Sequence, residues 1–154
     1  FFGVIQPYAL RAPEVYLGIP YGPSADIWNL GCLAFELVTY CRLFYPEATD
    51  RWSRDDDILG LMVSVNGLTS FPVDVLARGK FSSKYFDESG EKCVHRYDLV
   101  FHDDIEAMLE ARFPLQPEDD RKLLADMLSR MLRLRPEDRE SARELLNHPW
   151  LRDF

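Results

Sequence analysis

The strongest pattern along the chain is an apolar stretch at residues 27–38 whose hydrophobic positions repeat at helical spacing. Its apolar side chains fall on nearly every face of the predicted helix: Trp28, Leu30, Cys32, Leu33, Ala34, Phe35, Leu37 and Val38. Ser24 is placed to cap the amino end, and Asp26 lies in the first turn, where a carboxylate offsets the helix dipole. A helix that is apolar nearly all round predicts a buried central position, so we expect the rest of the chain to pack around it.

Several other segments carry helical signals, with capping residues or prolines at their ends. We predict helices at residues 14–17, 54–65 (ended by Gly67), 103–113, 117 to about 134, and from Ser141 to Pro149. The proline-rich residues 1–23, residues 43–53 and residues 69–100 lack periodicity and are predicted to be irregular. No convincing strand or repeat is present, so the sequence indicates a mainly α fold in one domain spanning residues 1–154.

The composition changes the picture by excluding some classes of partner. The chain has 154 residues and carries 18 Lys and Arg against 26 Asp and Glu, a net charge of −8. Phosphate contacts need clustered cations, so this charge argues against direct nucleic-acid binding and would suit a basic partner. An ordinary acidic domain without such a partner is the more common source of this charge.

The cysteines and the apolar runs bear on the compartment. Cys32, Cys41 and Cys93 form an odd set without C-x-x-C spacing, so we predict reduced thiols, with Cys32 and Cys41 in or near the core. No secretory signal is visible, and the longest apolar stretch is too short to span a bilayer. We therefore expect an intracellular protein of the cytoplasm or nucleus, with no membrane contact.

Four blocks of sequence, taken in the order in which they occur, give the strongest indication of function. They are Arg11-Ala12-Pro13-Glu14-Val15, Asp26-Ile27-Trp28-Asn29-Leu30-Gly31-Cys32 with Glu36-Leu37, Leu134-Arg135-Pro136-Glu137-Asp138-Arg139, and His148-Pro149-Trp150-Leu151. An A-P-E tripeptide alone is common. In this order the blocks resemble the end of the activation segment, the D-x-W-x-x-G helix, the late arginine and the closing H-P-W of eukaryotic protein kinases. The resemblance covers about residues 4–152.

The segments between these blocks narrow the resemblance. Leu17-Gly18 with Tyr21, and Leu43-Phe44, are similar to the group that holds the cyclin-dependent, mitogen-activated and serine/arginine-rich protein kinases. Residues 53–67, residues 77–82 and the pattern from Tyr85 to Gly90 are similar to the serine/arginine-rich protein kinases. The resemblance implies a helical C-terminal kinase lobe, with the small lobe and catalytic loop absent, so that residues 1–154 form a partial kinase domain.

The family resemblance also assigns roles to single residues. It implies that Glu14 pairs with Arg139, an arrangement that suits the two parallel donors of a guanidinium. It implies that Asp26 anchors the backbone of the catalytic loop. Without the resemblance, Glu14 and Arg139 would be taken as surface charges. Asp26 would be taken as an ordinary acid in the first turn of a helix.

The resemblance further implies that Gln6, Pro7, Tyr8 and Arg11 meet the substrate residue that follows the phosphoacceptor. Related kinases often carry a threonine four residues before this arginine, and its hydroxyl bridges towards the catalytic aspartate. Pro7 occupies that position here and has neither a hydroxyl nor an amide hydrogen. The usual hydrogen bond is therefore in doubt at Pro7.

Asp55, Asp56 and Asp57 begin a predicted helix that, in the serine/arginine-rich protein kinases, lines an acidic docking groove for Arg/Ser-repeat peptides. Asp57 matches one groove acid, whereas Ser64 stands where a second, a glutamate, is expected. Attraction for arginine needs several converging carboxylates. The alternative is that these acids only offset the helix dipole.

The residues that transfer phosphate in a kinase are missing. The chain contains no Gly-rich loop, strand lysine, H-R-D or D-F-G motif; Phe1 stands where the D-F-G aspartate belongs, and His95-Arg96 is followed by Tyr97. We therefore predict no catalytic residue and no metal ligands, with ATP and Mg²⁺ belonging to an intact parent kinase.

These observations favour the C-terminal lobe of a serine/threonine kinase that phosphorylates Arg/Ser-rich proteins, with the chain itself inactive. The alternatives are a non-catalytic module that binds basic Arg/Ser-rich peptides, and an unrelated helical adaptor. If the rest of a kinase is absent, apolar surface should be exposed around Asp26 to Leu37 and in the first ten residues, which favours aggregation.

Overall fold

A computed structural model describes residues 3–87 and 104–152 as helices joined by turns. In chain order the α-helices are α1 (Pro13–Leu17), α2 (Ser24–Thr39), α3 (Arg54–Val65), α4 (Val73–Leu76), α5 (Ser82–Tyr85), α6 (Ile105–Arg112), α7 (Glu118–Met131) and α8 (Ala142–Leu145). Short 3-10 turns lie at Tyr8–Leu10, Pro136–Asp138 and Pro149–Leu151. These two ranges contain no β-strand, which confirms the mainly α fold.

One face of the apolar helix α2 packs against α7, and the helix also contacts the 3-10 turns at Tyr8–Leu10 and Pro136–Asp138. Trp28, Cys32 and Phe35 on this face are fully buried. Gly31 allows the close approach, because a Cβ there would lie 3.1 Å from side-chain atoms of Met131 and Leu132. The absence of a side chain at Gly31 therefore lets the end of α7 pack directly against the α2 backbone.

The opposite face of α2 is exposed, so the prediction of burial all round was wrong. Leu30, Leu33 and Leu37 keep 50%, 37% and 66% of their surface accessible. Hydrophobic periodicity reports which positions are apolar and not whether another part of the protein covers them. The expected apolar exposure along this helix is confirmed.

The amino end of α2 also differs from the prediction. Ser24 is the first helical residue and not the cap, because Pro23 before it already has helical dihedral angles (φ −56°, ψ −25°) and no side chain caps the helix. The carbonyl of Ser24 instead accepts a hydrogen bond from the guanidinium of Arg139 at 2.9 Å.

Helix α3 has the predicted bounds, and a capping box sets its start. The Ser53 hydroxyl accepts from the amide of Asp56 at 3.3 Å, and the Asp56 carboxylate accepts from the amide of Ser53 at 2.9 Å. The chain turns away after the helix at Gly67, whose φ of +64° lies in the left-handed region.

Two short helices, α4 and α5, lie in the segment predicted to be irregular, so that prediction was wrong in part. Each is one turn long and buries two residues, Val75 and Leu76 in α4 and Ser82 and Tyr85 in α5. Four residues are too few to show a helical period.

Several predictions fall outside the described residues or shift by a few positions. Cys93, the His95-Arg96-Tyr97 sequence, Gly90 and the predicted helix start at residue 103 lie outside them. Helix α6 is capped by Asp104, whose carboxylate accepts from the amide of Ala107 at 3.0 Å. Helix α7 ends at Met131, and α8 begins after the predicted capping box at Ser141.

The core runs between α1, α2, α3 and α7. Trp28 stacks on Phe44 with ring centroids 6.0 Å apart, and Leu59, Leu124 and Leu128 are fully buried beside them. Cys32 is buried as predicted, whereas Cys41 is exposed, which corrects the expectation that both thiols lie in or near the core.

Candidate functional site

A buried ion pair fastens the amino-terminal segment to the end of the domain. Both side chains of Glu14 and Arg139 have 0% exposure. The guanidinium donates from two nitrogens to the two carboxylate oxygens, at 2.6 and 2.7 Å. These residues lie 125 positions apart in the chain, so the contact that the sequence analysis expected is formed across the whole length of the domain.

Further contacts of Arg139 replace the interactions with water that its charge loses on burial. Its Nε donates to the carbonyl of Arg133 at 2.8 Å, and its planar group lies 5.1 Å from the ring centroid of Trp28. Glu14 belongs to α1, which directly follows residues 6–11. The pair therefore fixes the place at which this loop joins the core.

The predicted substrate floor, residues 6–11, is held in one conformation by its own polar groups. Gln6 has a φ of +69°, uncommon for a residue with a Cβ. Its side chain accepts from the amide of Ala12 at 2.9 Å and donates to the carbonyl of Ala25 at 2.7 Å. The guanidinium of Arg11 donates to the carbonyls of Ile5 and Gln6, at 3.0 and 3.2 Å.

Pro7 and Tyr8 continue the floor into a single 3-10 turn. The carbonyl of Pro7 accepts from the amide of Leu10 at 3.0 Å. Tyr8 is clamped at both ends, because its hydroxyl donates to Asp55 at 3.1 Å and its carbonyl accepts from the hydroxyl of Tyr16 at 2.6 Å. The floor is thus tied to both α1 and α3.

The electrostatics around these tyrosines favour the neutral phenols. Burial raises the pKa of Tyr8 well above its usual range, and the phenol of Tyr16 and the carboxylate of Asp55 add to this effect. Burial likewise raises the pKa of Tyr16, although the nearby charge of Arg11 opposes it. Both hydroxyls therefore remain hydrogen-bond donors at neutral pH.

The three predicted groove acids are not presented together towards solvent. Asp56 is buried and belongs to the capping box, and Asp57 is buried and accepts from the amide of Glu47 at 2.8 Å. Asp55 accepts from the hydroxyls of Tyr8 and Tyr85, each at 3.1 Å. In this structure each acid accepts hydrogen bonds from other residues of the fold, and their role in docking a basic peptide stays a prediction.

A cleft beside the floor carries Glu36, an acid that the sequence analysis quoted in the second block but did not assign to a site. Its volume is about 430 Å³, and Pro7, Tyr8 and Leu10 form one side of it. The other lining residues come from α2, the following loop and α3: Glu36, Arg42, Tyr45, Pro46 and Arg54. Among residues 3–87 and 104–152, Glu36 has no ion-pair partner. A carboxylate in an otherwise apolar run of α2 was the signal that could have identified it.

Asp26 lies in the first turn of α2 and is exposed. Within the part of the chain that the structure describes, its carboxylate accepts no hydrogen bond. Its role as an anchor for a catalytic loop therefore stays a prediction.

The described residues also bear on metal, nucleotide and membrane binding. In the two described ranges no three His, Cys, Asp or Glu side chains converge as metal ligands. The binding of ATP and Mg²⁺ by an intact parent kinase stays a prediction, and no step of phosphoryl transfer is assigned to the described residues. None of the described helices is long and apolar enough to cross a membrane.

Comparison with known proteins adds independent findings. Residues 5–151 match the family described as protein kinase domain. The chain is 36% identical over 149 residues to serine/threonine-protein kinase SKY1 of Saccharomyces cerevisiae, covering 97% of this chain and 19% of that protein. It is 36% identical over 148 residues to SRSF protein kinase 3 of Homo sapiens, covering 96% and 25%. It is 35% identical over 150 residues to serine/threonine-protein kinase SRPK of Physarum polycephalum, covering 97% and 34%. The chain therefore spans between 19% and 34% of the length of these relatives.

Proposed function

This chain belongs to the protein kinase family, related to serine/threonine kinases of the serine/arginine-rich type, and we propose that it is the substrate-binding lobe of such a kinase. In the complete kinase, ATP bound elsewhere together with Mg²⁺ would supply the phosphoryl group, and this lobe would hold an Arg/Ser-rich protein. The protein would act in the cytoplasm or nucleus, where its substrates would include factors of RNA splicing.

One observation carries this proposal: the hydrogen-bonded floor of residues 6–11 lies beside a cleft lined by the carboxylate of Glu36. The floor offers a fixed surface for the peptide backbone, because Gln6, Tyr8 and Arg11 are all held by hydrogen bonds. Glu36 lines the adjoining cleft together with Arg42 and Arg54, and its carboxylate is the acidic group there that can accept a guanidinium in a bidentate pair. A basic side chain next to the phosphoacceptor would bind there.

The test is titration of the purified chain with a fluorescein-labelled Arg/Ser-repeat peptide, followed by fluorescence anisotropy. We expect binding that weakens as salt rises, since screening acts on exposed charge pairs. Glu36→Gln should weaken it by about threefold to fivefold, the range of an exposed ion pair. Glu110→Gln is the matched control, because Glu110 is an exposed acid on α6 and lies away from the cleft. Binding that ignores both salt and Glu36→Gln would contradict the proposal.

A second candidate function uses the same floor without phosphorylation. The chain contains no H-R-D or D-F-G motif, so on its own it would be a module that binds basic peptides. The expected result is ATP turnover by the purified chain no faster than in a buffer control. ATP turnover above that level, if the Glu14→Gln variant lost it, would show that the chain has catalytic activity. The inference that it only binds peptides would then be wrong.

A further inference from the structure

A second cavity, which shares Arg42 and Tyr45 with the cleft beside the floor, opens between the loop at residues 40–45, α3 and α6. Its volume is about 700 Å³. The apolar residues that line it are Leu43, Phe44, Leu61, Val65 and Met108. Most of these side chains are buried, so they form a firm apolar base to the cavity.

The charges around this cavity are opposite to those of the molecule as a whole. The chain carries a net charge of −8, yet the charged residues that line the cavity are two arginines, Arg42 and Arg112. Neither is paired with a carboxylate within residues 3–87 and 104–152. A local cationic rim above an apolar base favours a ligand that brings both carboxylates and apolar side chains.

Arg112 is held in place, and both arginines still have donors to spare. Arg112 donates from one nitrogen to the carbonyl of Arg42 at 3.1 Å, and its planar group lies 6.0 Å from the ring centroid of Phe35. The guanidinium of Arg42 lies 5.9 Å from the ring centroid of Tyr45. Each guanidinium carries five N–H donors, so carboxylates of a partner could bind without breaking these contacts.

Two exposed tyrosines extend the rim. Tyr40 is 93% exposed and Tyr45 is 71% exposed. Tyr40 ends α2 with a φ of +57°, which turns the chain sharply into the loop. Amphipathic aromatic side chains with few rotatable bonds are enriched at protein interfaces.

We propose that this arginine-lined cavity is a docking site for a short acidic peptide segment of a partner protein, in which glutamates or aspartates adjoin apolar side chains. The carboxylates pair with Arg42 and Arg112, and the apolar side chains occupy the base formed by Leu61, Val65 and Met108. The ligand is thus opposite in charge to the Arg/Ser-rich peptide proposed for the floor, so the two sites would recognise different segments.

The experiment uses a fluorescein-labelled octapeptide with two glutamates followed by two leucines between Gly-Ser ends. We expect saturable binding by anisotropy that weakens as salt rises. Arg112→Gln should weaken it by about threefold, and Arg42→Gln with Arg112→Gln by about tenfold. Arg143→Gln, an exposed arginine on α8, is the matched control and should change nothing. Replacing the glutamates by lysine, or the leucines by serine, should abolish binding.

The rate of alkylation of Cys41 reports whether the peptide occupies the cavity. Attraction by charge at another place on the surface would not change this rate. Its thiol is exposed and lines the cavity, whereas Cys32 is buried. The peptide should therefore slow alkylation of Cys41 by iodoacetamide, mapped by mass spectrometry. Unchanged alkylation of Cys41 at saturating peptide would overturn the proposal even if anisotropy rose.

Two crossed variants separate this site from the floor. Glu36 lines only the cleft beside the floor and Arg112 lines only the second cavity. Glu36→Gln should leave binding of the acidic peptide unchanged, and Arg112→Gln should leave binding of the Arg/Ser peptide unchanged. If the peptide fails to bind while sedimentation shows a dimer that Arg112→Gln dissociates, the cavity binds a second copy of this chain and the proposal is overturned.

Discussion

The contribution of Arg139 to the stability of the fold depends on the burial of its side chain. Its guanidinium donates to Glu14 and to the carbonyls of Ser24 and Arg133, without contact with solvent. Removing it would leave the carboxylate of Glu14 buried without its counter-charge. We expect Arg139→Met to lower the free energy of unfolding by about 3–5 kcal/mol, measured by urea denaturation.

The matched comparison is Arg135, which makes a bidentate pair with Asp74 at the surface. Arg135→Met should cost only about 0–1 kcal/mol, because solvent screens an exposed pair. The double variant Glu14→Gln with Arg139→Met should regain part of the lost stability. Equal losses for Arg139→Met and Arg135→Met would refute the argument from burial.

The buried tyrosines predict a fall in stability at alkaline pH. Burial raises the pKa of Tyr8, Tyr16 and Tyr85 above that of a free phenol. The unfolded chain loses these protons near pH ~10, whereas the folded chain keeps them, so stability present below that pH declines above it. Urea midpoints from about pH 8 to about pH 11 should show the decline. Tyr16→Phe should make it shallower, and Tyr40→Phe, at an exposed position, should not.

The docking acids illustrate what a sequence does not reveal at the scale of residues. Three consecutive acids were visible, and both a groove and a helix start could account for them. The partners of Asp55 are Tyr8 and Tyr85, 47 and 30 positions away. No local pattern indicates such contacts, because they form only when α3, α5 and the floor pack together.

At the scale of elements, the start of α3 tests how much one cap contributes. Ser53→Ala removes the hydroxyl that accepts from the amide of Asp56, and leaves a helix donor unsatisfied. We expect a loss of about 0.5–2 kcal/mol, measured by thermal unfolding. Ser83→Ala, at an exposed position in α5, should stay within about 0.5 kcal/mol. If Ser83→Ala lowered stability as much as Ser53→Ala, the effect would come from replacing any serine and not from losing the helix cap.

The elements also differ in how far the sequence could predict them. The bounds of α3 were predictable, because a capping box and a terminal glycine mark both ends within the local sequence. Helices α4 and α5 were not, because one helical turn has no period and is stabilised by packing of Val75, Leu76 and Tyr85. Local signals identify helix ends, whereas tertiary contacts decide the shortest helices.

At the scale of the whole molecule, the order of the four sequence blocks proved more informative than any block alone. The first block supplies Glu14 and the third supplies Arg139, and these two residues form the buried pair. The second block supplies α2, whose Trp28 ring centroid lies 5.1 Å from the guanidinium of Arg139. The pair was predicted from the family resemblance that the ordered blocks carry, and the structure contains it. The cavity between α3 and α6 had no such signature, since its lining comes from three unrelated segments.

The exposed face of α2 predicts that the molecule associates with itself in solution. Leu30, Leu33 and Leu37 form a stripe along one side of the helix, and apolar stripes of this kind promote association. Replacing all three by glutamine should reduce self-association in sedimentation velocity runs while the melting temperature changes little, because these side chains bury only part of their surface in the fold. Leu146→Gln is the control: this leucine is 72% exposed but lies far along the chain, on the residue after α8, and should leave association unchanged. A triple variant that unfolds would show that the stripe is packed against another part of the protein, and a monomeric parent chain at high concentration would show that the stripe does not drive association.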